Sequence, residues 1–453
     1  MGPIHPNAHV NYSDAIAFLD THINMETGMV HDATRAPDIS AGRNFDPPSL
    51  DRMRRLVTFL GDPQMDLDVL HITGTNGKGS TARMAESLLR AHGLSTGLYT
   101  SPHLHRANER IVSNGADISD LEFAEMVRVL RIAEDAAGQR NSWFELLTAG
   151  ALRWFSDLAV EAAVVEVGAG GRWDATNVAD GAVSVITNID LDHQQWFGPT
   201  KLDIAREKVG IIKPGSSVVL GEGDPDILNY LVRSAQSVEV ASIWTAGVDF
   251  ACDSNRVALG GRLCSLRTPT TAYRDVFVPC RGAHQGDNAA VALAAVEAFV
   301  QSPLDENTVR AGFENVLNPG RMEVVGRDPL IVLDGAHNVA GAQRAAATLL
   351  DEFAANPQRI LIVGLLNGKD PGEMLDALNA RASLLLIAPP PSPRAMDPEL
   401  IIAAARSRGI AFRAFSTVEL AVDAAIGEAE EDSVILVCGS LYTVAAARAF
   451  LRN

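Results

Sequence analysis

The chain has 453 residues, 47% of them hydrophobic and 21% charged, with a net charge of −18. That length exceeds one ordinary hydrophobic core and predicts two or three domains, while the acidic balance excludes a broad nucleic-acid surface, which needs clustered Lys and Arg. No apolar run approaches the ~20 residues that span a bilayer, and the first residues lack the basic start and apolar core of a signal peptide. Cys252, Cys264, Cys280 and Cys438 show neither C-x-x-C pairing nor a His at zinc spacing, so a cytoplasmic protein with free structural thiols is expected.

In chain order, 'DVLHIT' reads as a buried strand and Ser80 to His92 as a helix closed by Gly93, with 'GTNGKGS' between them. The common phosphate loop is G-x-x-x-x-G-K-[ST]. Here Ile72 holds the first glycine position and Gly79 follows Lys78, so the hydroxyl arrives one place late, at Ser80. Gly74, Gly77 and Gly79 let backbone N–H groups turn toward an anion, and the helix start adds its positive end. On this stretch alone, a phosphate site and an ordinary turn with a solvated lysine both stay open.

'STGLYT' gives a second strand, and 'YTSPHLHRANERI' after it reads by itself as a polar surface loop. Two helices carry capping boxes, Ser119 with Glu122 and Ser142 with Glu145. Glu166 stands in the apolar strand 'AAVVEVGA'. A buried carboxylate is costly unless paired or bound to a cation, and magnesium takes one or two carboxylates plus phosphate oxygens; the alternative is an edge strand that lets Glu166 reach water. 'AVSVITN' leads to Asp190, Asp192 and His193, the last readable as a hydrogen-bonded structural residue or a ligand. Lys208, in 'TKLDIAREKVGIIKPG', reads as a solvated helix charge.

From about Val218 to Cys280 the pattern is strand-rich, with a hairpin turn at 'LGGRLC', and a helix follows from Gln285 to Val300. The stretch 'VLNPGRMEVVGRDP' holds two prolines and two glycines and supplies the expected linker, 318–328, between domains 1–317 and 329–453. Beyond it, 'LIVLDG', 'RILIVGLL', 'SLLLIAPP', 'AFRAFS' and 'SVILVCGS' alternate with helical stretches, which predicts a small doubly wound parallel sheet. Asp334, in 'LDGAHN', is either a helix N-cap or a ligand contact. Polar strand ends in both domains point to a reaction in the cleft between them.

Taken in order, 'GTNGKGS', 'TSPHL', 'FELLTA', 'EVGAGGRWDATN', 'DH' with 'AREKVGIIKPG', 'HQGDNAA', 'PGR' and 'LDGAHN' resemble the folylpolyglutamate synthase and dihydrofolate synthase family, a branch of the Mur ligases. The motifs span Gly74 to Asn338, with weaker support from 'GLLNGKD' and 'CGSLY'. The resemblance implies an α/β fold: a P-loop ATPase domain with a mostly parallel sheet, plus a smaller Rossmann-like doubly wound C-terminal domain. Gly77, Lys78, Gly79 and Ser80 match the ATP phosphate cradle, and Asn288, Arg321 and Asp334 match further ATP positions. Ser101, Glu166 and His193 match magnesium positions, and Lys208 matches a lysine carbamylated in this family. His337 belongs with the ATP positions near the linker, and Lys78, Lys208 and His337 are the expected catalytic residues. Ser142, Trp143, Phe144, Glu145, Trp173, Asp174 and Ala175 match segments that hold dihydropteroate, which gives Glu145 a second role beside its capping box. Two departures stand out: Gly368 replaces an acid before Lys369-Asp370, and residues 30–50 do not reproduce the N-terminal substrate segment.

The activity so implied is ATP-dependent amide formation. The carboxylate of dihydropteroate or a tetrahydrofolate polyglutamate attacks the γ-phosphate, and L-glutamate, held largely by the C-terminal domain, displaces phosphate from the acyl phosphate. ATP and Mg2+ are the expected cofactors, with a monovalent cation as an additional candidate. The chain is expected to act as a monomer without nucleic-acid or membrane partners. The alternatives are a Mur-type ligase for another acid and a P-loop ATPase that is not a ligase.

Overall fold

The computed structural model describes residues 11–27, 50–378 and 382–452; the divergent segment noted above lies outside them up to residue 49. The chain divides into two compact units that interleave in sequence. Unit 1 runs to Ile189 and adds His193–Ala246 and Ala294–Leu304; unit 2 comprises Asp190–Asp192, Gly247–Leu293 and the chain from Asp305.

Unit 1 is built on eight strands: β1 (Val69–Thr73), β2 (Thr96–Tyr99), β3 (Ile111–Ser113), β4 (Ala116–Asp117), β5 (Ala162–Glu166), β6 (Gly181–Ile186), β7 (Ser217–Leu220) and β8 (Ser242–Thr245). Their order is β4-β3-β2-β5-β1-β6-β7-β8, parallel from β2 to β8, with β3 and β4 antiparallel at one edge. All residues of β1 and β5 are buried, as strands covered on both faces must be. Helices Asp120–Ala137 and Trp143–Asp157 begin at the two predicted capping boxes, both formed. They pack Phe123, Leu130, Leu147 and Phe155 with Val69, Tyr99 and Val165 in one core cluster. Ile204, Ile227 and Leu231 form another with Ile186 and Leu220.

Unit 2 holds an antiparallel sheet of β9 (Ala251–Ala258), β10 (Gly261–Arg267) and β11 (Ala272–Val278). The predicted hairpin turn lies between β9 and β10, where Gly260 takes φ 85°. Its second sheet, of β12 (Glu323–Arg327), β13 (Leu330–Leu333), β14 (Gln358–Val363), β15 (Leu384–Ile387), β16 (Phe412–Ala414) and β17 (Ser433–Cys438), has the order β12-β13-β17-β14-β15-β16. All its pairings are parallel except β12 with β13. Apolar strands alternating with helices thus give the doubly wound sheet the sequence predicts.

The structure corrects the linker. Residues 323–327 form edge strand β12, and Met322 is buried in the unit 2 core. The prolines and glycines that suggested a linker mostly flank this strand, and only Gly326 falls inside it, where the register with β13 shifts. Residues 247–293 also belong to a different unit from most of the predicted first domain. Buried Arg262 explains part of this, donating to Asp351 at 2.9 Å and Glu352 at 3.1 Å. Among the described residues, no helix is long and apolar enough to cross a membrane.

Candidate active site

β1 ends at Thr73, and the glycine loop turns the chain into helix Lys78–Ala91, two residues earlier than predicted. Gly77 is the N-cap at φ 84°, so Lys78, Gly79 and Ser80 occupy the first turn, where backbone N–H groups lack helical partners. The loop is braced by the residues after β6. Asn188 accepts from Thr75 N through its carbonyl (2.9 Å) and from Asn76 N through Oδ1 (3.0 Å), while its Nδ2 donates to Asn76 O (2.9 Å). Gly74, at φ 153°, permits this approach: a Cβ there would lie 1.8 Å from Thr187 Oγ1.

Two ammonium groups meet on one carbonyl. Lys78 Nζ donates to Gly74 O at 3.1 Å, and Lys208 Nζ donates to the same oxygen at 2.8 Å. Lys208 is buried, which overturns its reading as a solvated charge. The close packing of its helix against the glycine-rich segment explains the burial, since a Cβ on Gly171 would lie 2.9 Å from Lys208 O.

The strand ends converge at the same sheet edge. Glu166 ends β5 between β2 and β1, so the edge-strand reading also fails. Its Oε2 accepts from Ser101 N at 2.9 Å, and a Cβ on Gly79 would lie 3.4 Å from that oxygen. Ser101, Glu166 and Gly79 are therefore neighbours. The His193 ring stacks on Trp196 at 5.0 Å with the planes 8° apart. Among the described residues, no three His, Cys, Asp or Glu side chains form a metal-binding group.

Phe144 lies against the segment after β5, where a Cβ on Gly168 would fall 2.6 Å from its Cζ. In that segment Trp173 N donates to Glu207 Oε1 at 3.2 Å, Ala175 is buried, and Asp174 accepts from Ala169 N and Thr176 N, both at 3.0 Å. Burial pushes the Asp174 carboxyl up, opposed by these donors and the Thr176 hydroxyl. Ser142 N donates to Glu145 Oε2 at 2.7 Å, completing the capping box, and Arg52 reaches the same carboxylate at 3.3 Å.

Beside them Trp143 is buried, with the Arg110 guanidinium 4.6 Å above its ring. Arg110 is itself buried, forked onto Glu26 and donating to His103 Nδ1 at 2.8 Å. Burial and this guanidinium lower His103 to about 4. The stretch that reads as a polar surface loop therefore supplies buried groups.

In unit 2, buried Asp334 accepts from Met322 N at 2.9 Å and Ala336 N at 2.8 Å. It is not a helix cap; Asn338 caps helix Val339–Glu352 by accepting from Gly341 N. Burial raises the Asp334 carboxyl, opposed chiefly by Arg321. Arg321 lies over Gly335, where a Cβ would be 2.4 Å from its guanidinium. His337 Nδ1 is 3.0 Å from Gly335 O, and its Nε2 is 3.5 Å from Asp192. Asn288 lies in the first turns of helix His284–Val300 and donates to Gln285 at 3.0 Å. Arg321, Asp334 and His337 thus come together. Sequence reading passed over Thr187 and Asn188 and gave no role to Lys369, which pairs with Asp192 at 2.5 Å. A polar Thr-Asn pair directly after a buried strand was the available signal for the first two.

A glycine loop met by two lysines at the carboxyl edge of a parallel sheet, with a second doubly wound sheet, is the plan of a Mur ligase. Residues 72–296 match the Mur ligase middle domain, and residues 320–441 match the Mur ligase glutamate ligase domain. The chain is 38% identical over 440 residues to dihydrofolate synthase/folylpolyglutamate synthase of Mycobacterium tuberculosis, covering 88% of this chain and 89% of that one. Mycobacterium tuberculosis folylpolyglutamate synthase complexed with ADP matches with a TM-score of 0.87 at 34% identity, over 98% of both chains. Escherichia coli FolC in complex with DHPP and ADP matches with a TM-score of 0.83 at 29% identity, over 99% of both. The chain belongs to the folylpolyglutamate synthase/dihydrofolate synthase family.

Proposed function

We propose that this chain joins L-glutamate to a folate-type carboxylic acid, dihydropteroate or a tetrahydrofolate polyglutamate, at the expense of ATP. The observation that carries the reading is the convergence of Lys78 and Lys208 on Gly74 O beside the first helical turn. The Lys78 cation at a helix N-terminus suits a polyphosphate and the charge that moves during phosphoryl transfer, and Lys208 sets a second amine beside the loop. The bound ADP and DHPP of the solved relatives support the same substrate classes.

In this scheme the loop N–H groups and Lys78 hold the phosphates, and the acid's carboxylate attacks the γ-phosphorus in line. An acyl phosphate forms and ADP leaves. The amine of glutamate then adds to the acyl carbon, and phosphate departs with its bonding electrons. The protein contributes mainly position and charge. Ser142–Glu145 and Trp173–Ala175 are assigned to the acid, and Asn288, Arg321 and Asp334 to ATP. His337 is assigned to the reacting groups of unit 2.

Magnesium fits the residues present. Glu166 offers a buried carboxylate and Ser101 a hydroxyl next to the loop, the oxygen donors this ion takes alongside phosphate. Bound there, it would neutralise phosphate charge; His193 is proposed as a further ligand. Lys208 is proposed to react with carbon dioxide as its neutral amine, losing a proton to become a carbamate. The test is a panel of acids with Mg-ATP and glutamate, read by product mass and ADP. ADP release that does not rise when pteroate or folate and glutamate are added contradicts the proposal.

A further inference from the structure

β1 carries two polar side chains among apolar ones, His71 and Thr73, both fully buried. Two residues apart on a strand, they face the same side. Thr73 Oγ1 donates to Gly170 O at 2.6 Å. His71 Nε2 lies 2.9 Å from Thr176 Oγ1, and that hydroxyl donates to Asp174 Oδ1 at 2.5 Å. Both contacts land on the segment that follows β5.

The direction of this chain follows from its far end. Backbone N–H groups donate to both Asp174 oxygens, Thr176 N to Oδ1 and Ala169 N to Oδ2, and Oδ1 also accepts from the Thr176 hydroxyl. The Thr176 proton therefore points to Asp174, and its oxygen must accept from His71 Nε2–H. His71 Nδ1 has no hydrogen-bond partner. A bare ring nitrogen is the tolerable state there, because a buried N–H without an acceptor costs more. The ring is neutral: burial first, and Lys213 second, lower its pKa to about 3. Gly181 lies against the start of the His71 side chain, where an added Cβ would meet His71 Cβ at 3.0 Å.

We propose that His71 is a positioning residue: through Thr176 it fixes Asp174 and the Trp173–Ala175 segment, so that the strand feeding the phosphate loop also sets the place of the acid substrate. Thr73 is the second fastening on the same strand. This rests on the assignment of Trp173–Ala175 to the acid.

The test uses the full-length enzyme with three variants. His71→Leu keeps the bulk and removes the donor, His71→Gln restores an N–H near the Nε2 position, and Thr176→Val removes the hydroxyl from the other side. Losing one buried hydrogen bond that aligns substrate predicts about a tenfold rise in KM for the folate acid in His71→Leu and Thr176→Val. KM for ATP should stay within about twofold, and His71→Gln should regain most of the loss. Hydrogen exchange without substrates should speed up at amides 168–176 in His71→Leu and Thr176→Val, but not in His71→Gln. Equal effects of His71→Leu and His71→Gln, a parallel rise in both KM values, or unchanged exchange at 168–176 would overturn the proposal. Should His71→Leu not fold, Thr176→Val against wild type carries the same comparison. Trp173→Ala separates the assumption: an unchanged acid KM there defeats the substrate assignment, and exchange alone then decides whether His71 tethers the segment.

Discussion

Replacing Gly74 by alanine tests the phosphate loop where the fold leaves it least room. The new Cβ would sit 1.8 Å from Thr187 Oγ1, 3.0 Å from Thr187 Cβ and 3.2 Å from Thr187 N. Thr187 cannot simply rotate away, because its hydroxyl donates to Asn76 O at 2.7 Å and holds the loop. Overpacking a rigid site costs about 1–3 kcal/mol, and the lost hydrogen bond costs about 1 kcal/mol. Left-handed backbone at a residue with a Cβ adds about 1–2 kcal/mol. Together these predict a loss of about 3–6 kcal/mol, or displacement of the loop with a KM for ATP raised more than about tenfold. The assays are urea unfolding and ADP formation in Gly74→Ala, Thr187→Ala and the double variant. Removing Oγ1 should relieve the worst contact, so the double variant should be about 1–2 kcal/mol better than additive. A wild-type Gly74→Ala, or strict additivity, would refute the steric argument.

Lys208→Met should lower turnover on the order of 10²-fold by removing the buried amine beside the loop, and with it the proposed carbamate, measured as ADP release with the acid present. Lys208→Arg keeps the charge but cannot form a carbamate, so full activity in that variant would eliminate the carbamate. Glu134, buried, accepts from His22 Nε2 at 2.9 Å and Asn141 N at 2.7 Å. Burial acts to raise its carboxyl, but these donors outweigh burial and hold it below the usual carboxylate range. A depressed carboxyl stabilises the fold above its unfolded pKa, and that contribution fades as pH falls through the folded value. Glu134→Gln should therefore cost about 1–3 kcal/mol near pH 7 and progressively less in acid, and a pH-independent difference in urea unfolding would contradict this. Asp334→Asn turns an amide NH2 toward one of the Met322 and Ala336 N–H groups, for a predicted loss of about 1–3 kcal/mol; an unchanged Tm would count against the buried-acceptor role.

Much of the fold was legible because its signals are local. Buried strands such as 'VVEV' and 'ILIV', two capping boxes and the 'LGGRLC' turn fix elements through nearest neighbours alone. The glycine loop was equally legible, since its chemistry is written in consecutive residues. The failures share one cause, which is burial imposed by distant packing. Lys208 and Arg110 look solvated in sequence, yet Lys208 is covered by the segment after β5 and Arg110 is enclosed by Glu26, His103 and Trp143. Asp334 resembles an N-cap, but the helix starts five residues later, behind Asn338. The pairing of β12 with β13 likewise depends on a neighbour rather than on the proline and glycine content of the stretch.

The central claim is that the two lysines on Gly74 O serve an acyl-phosphate ligation. Hydroxylamine in place of glutamate tests it most directly, with Mg-ATP and dihydropteroate or a tetrahydrofolate as the acid. The account predicts a hydroxamate of the folate acid, formed with ADP, dependent on both ATP and the acid, and lost in Lys78→Met. ADP released at the same rate without the acid, and no hydroxamate with it, would contradict it.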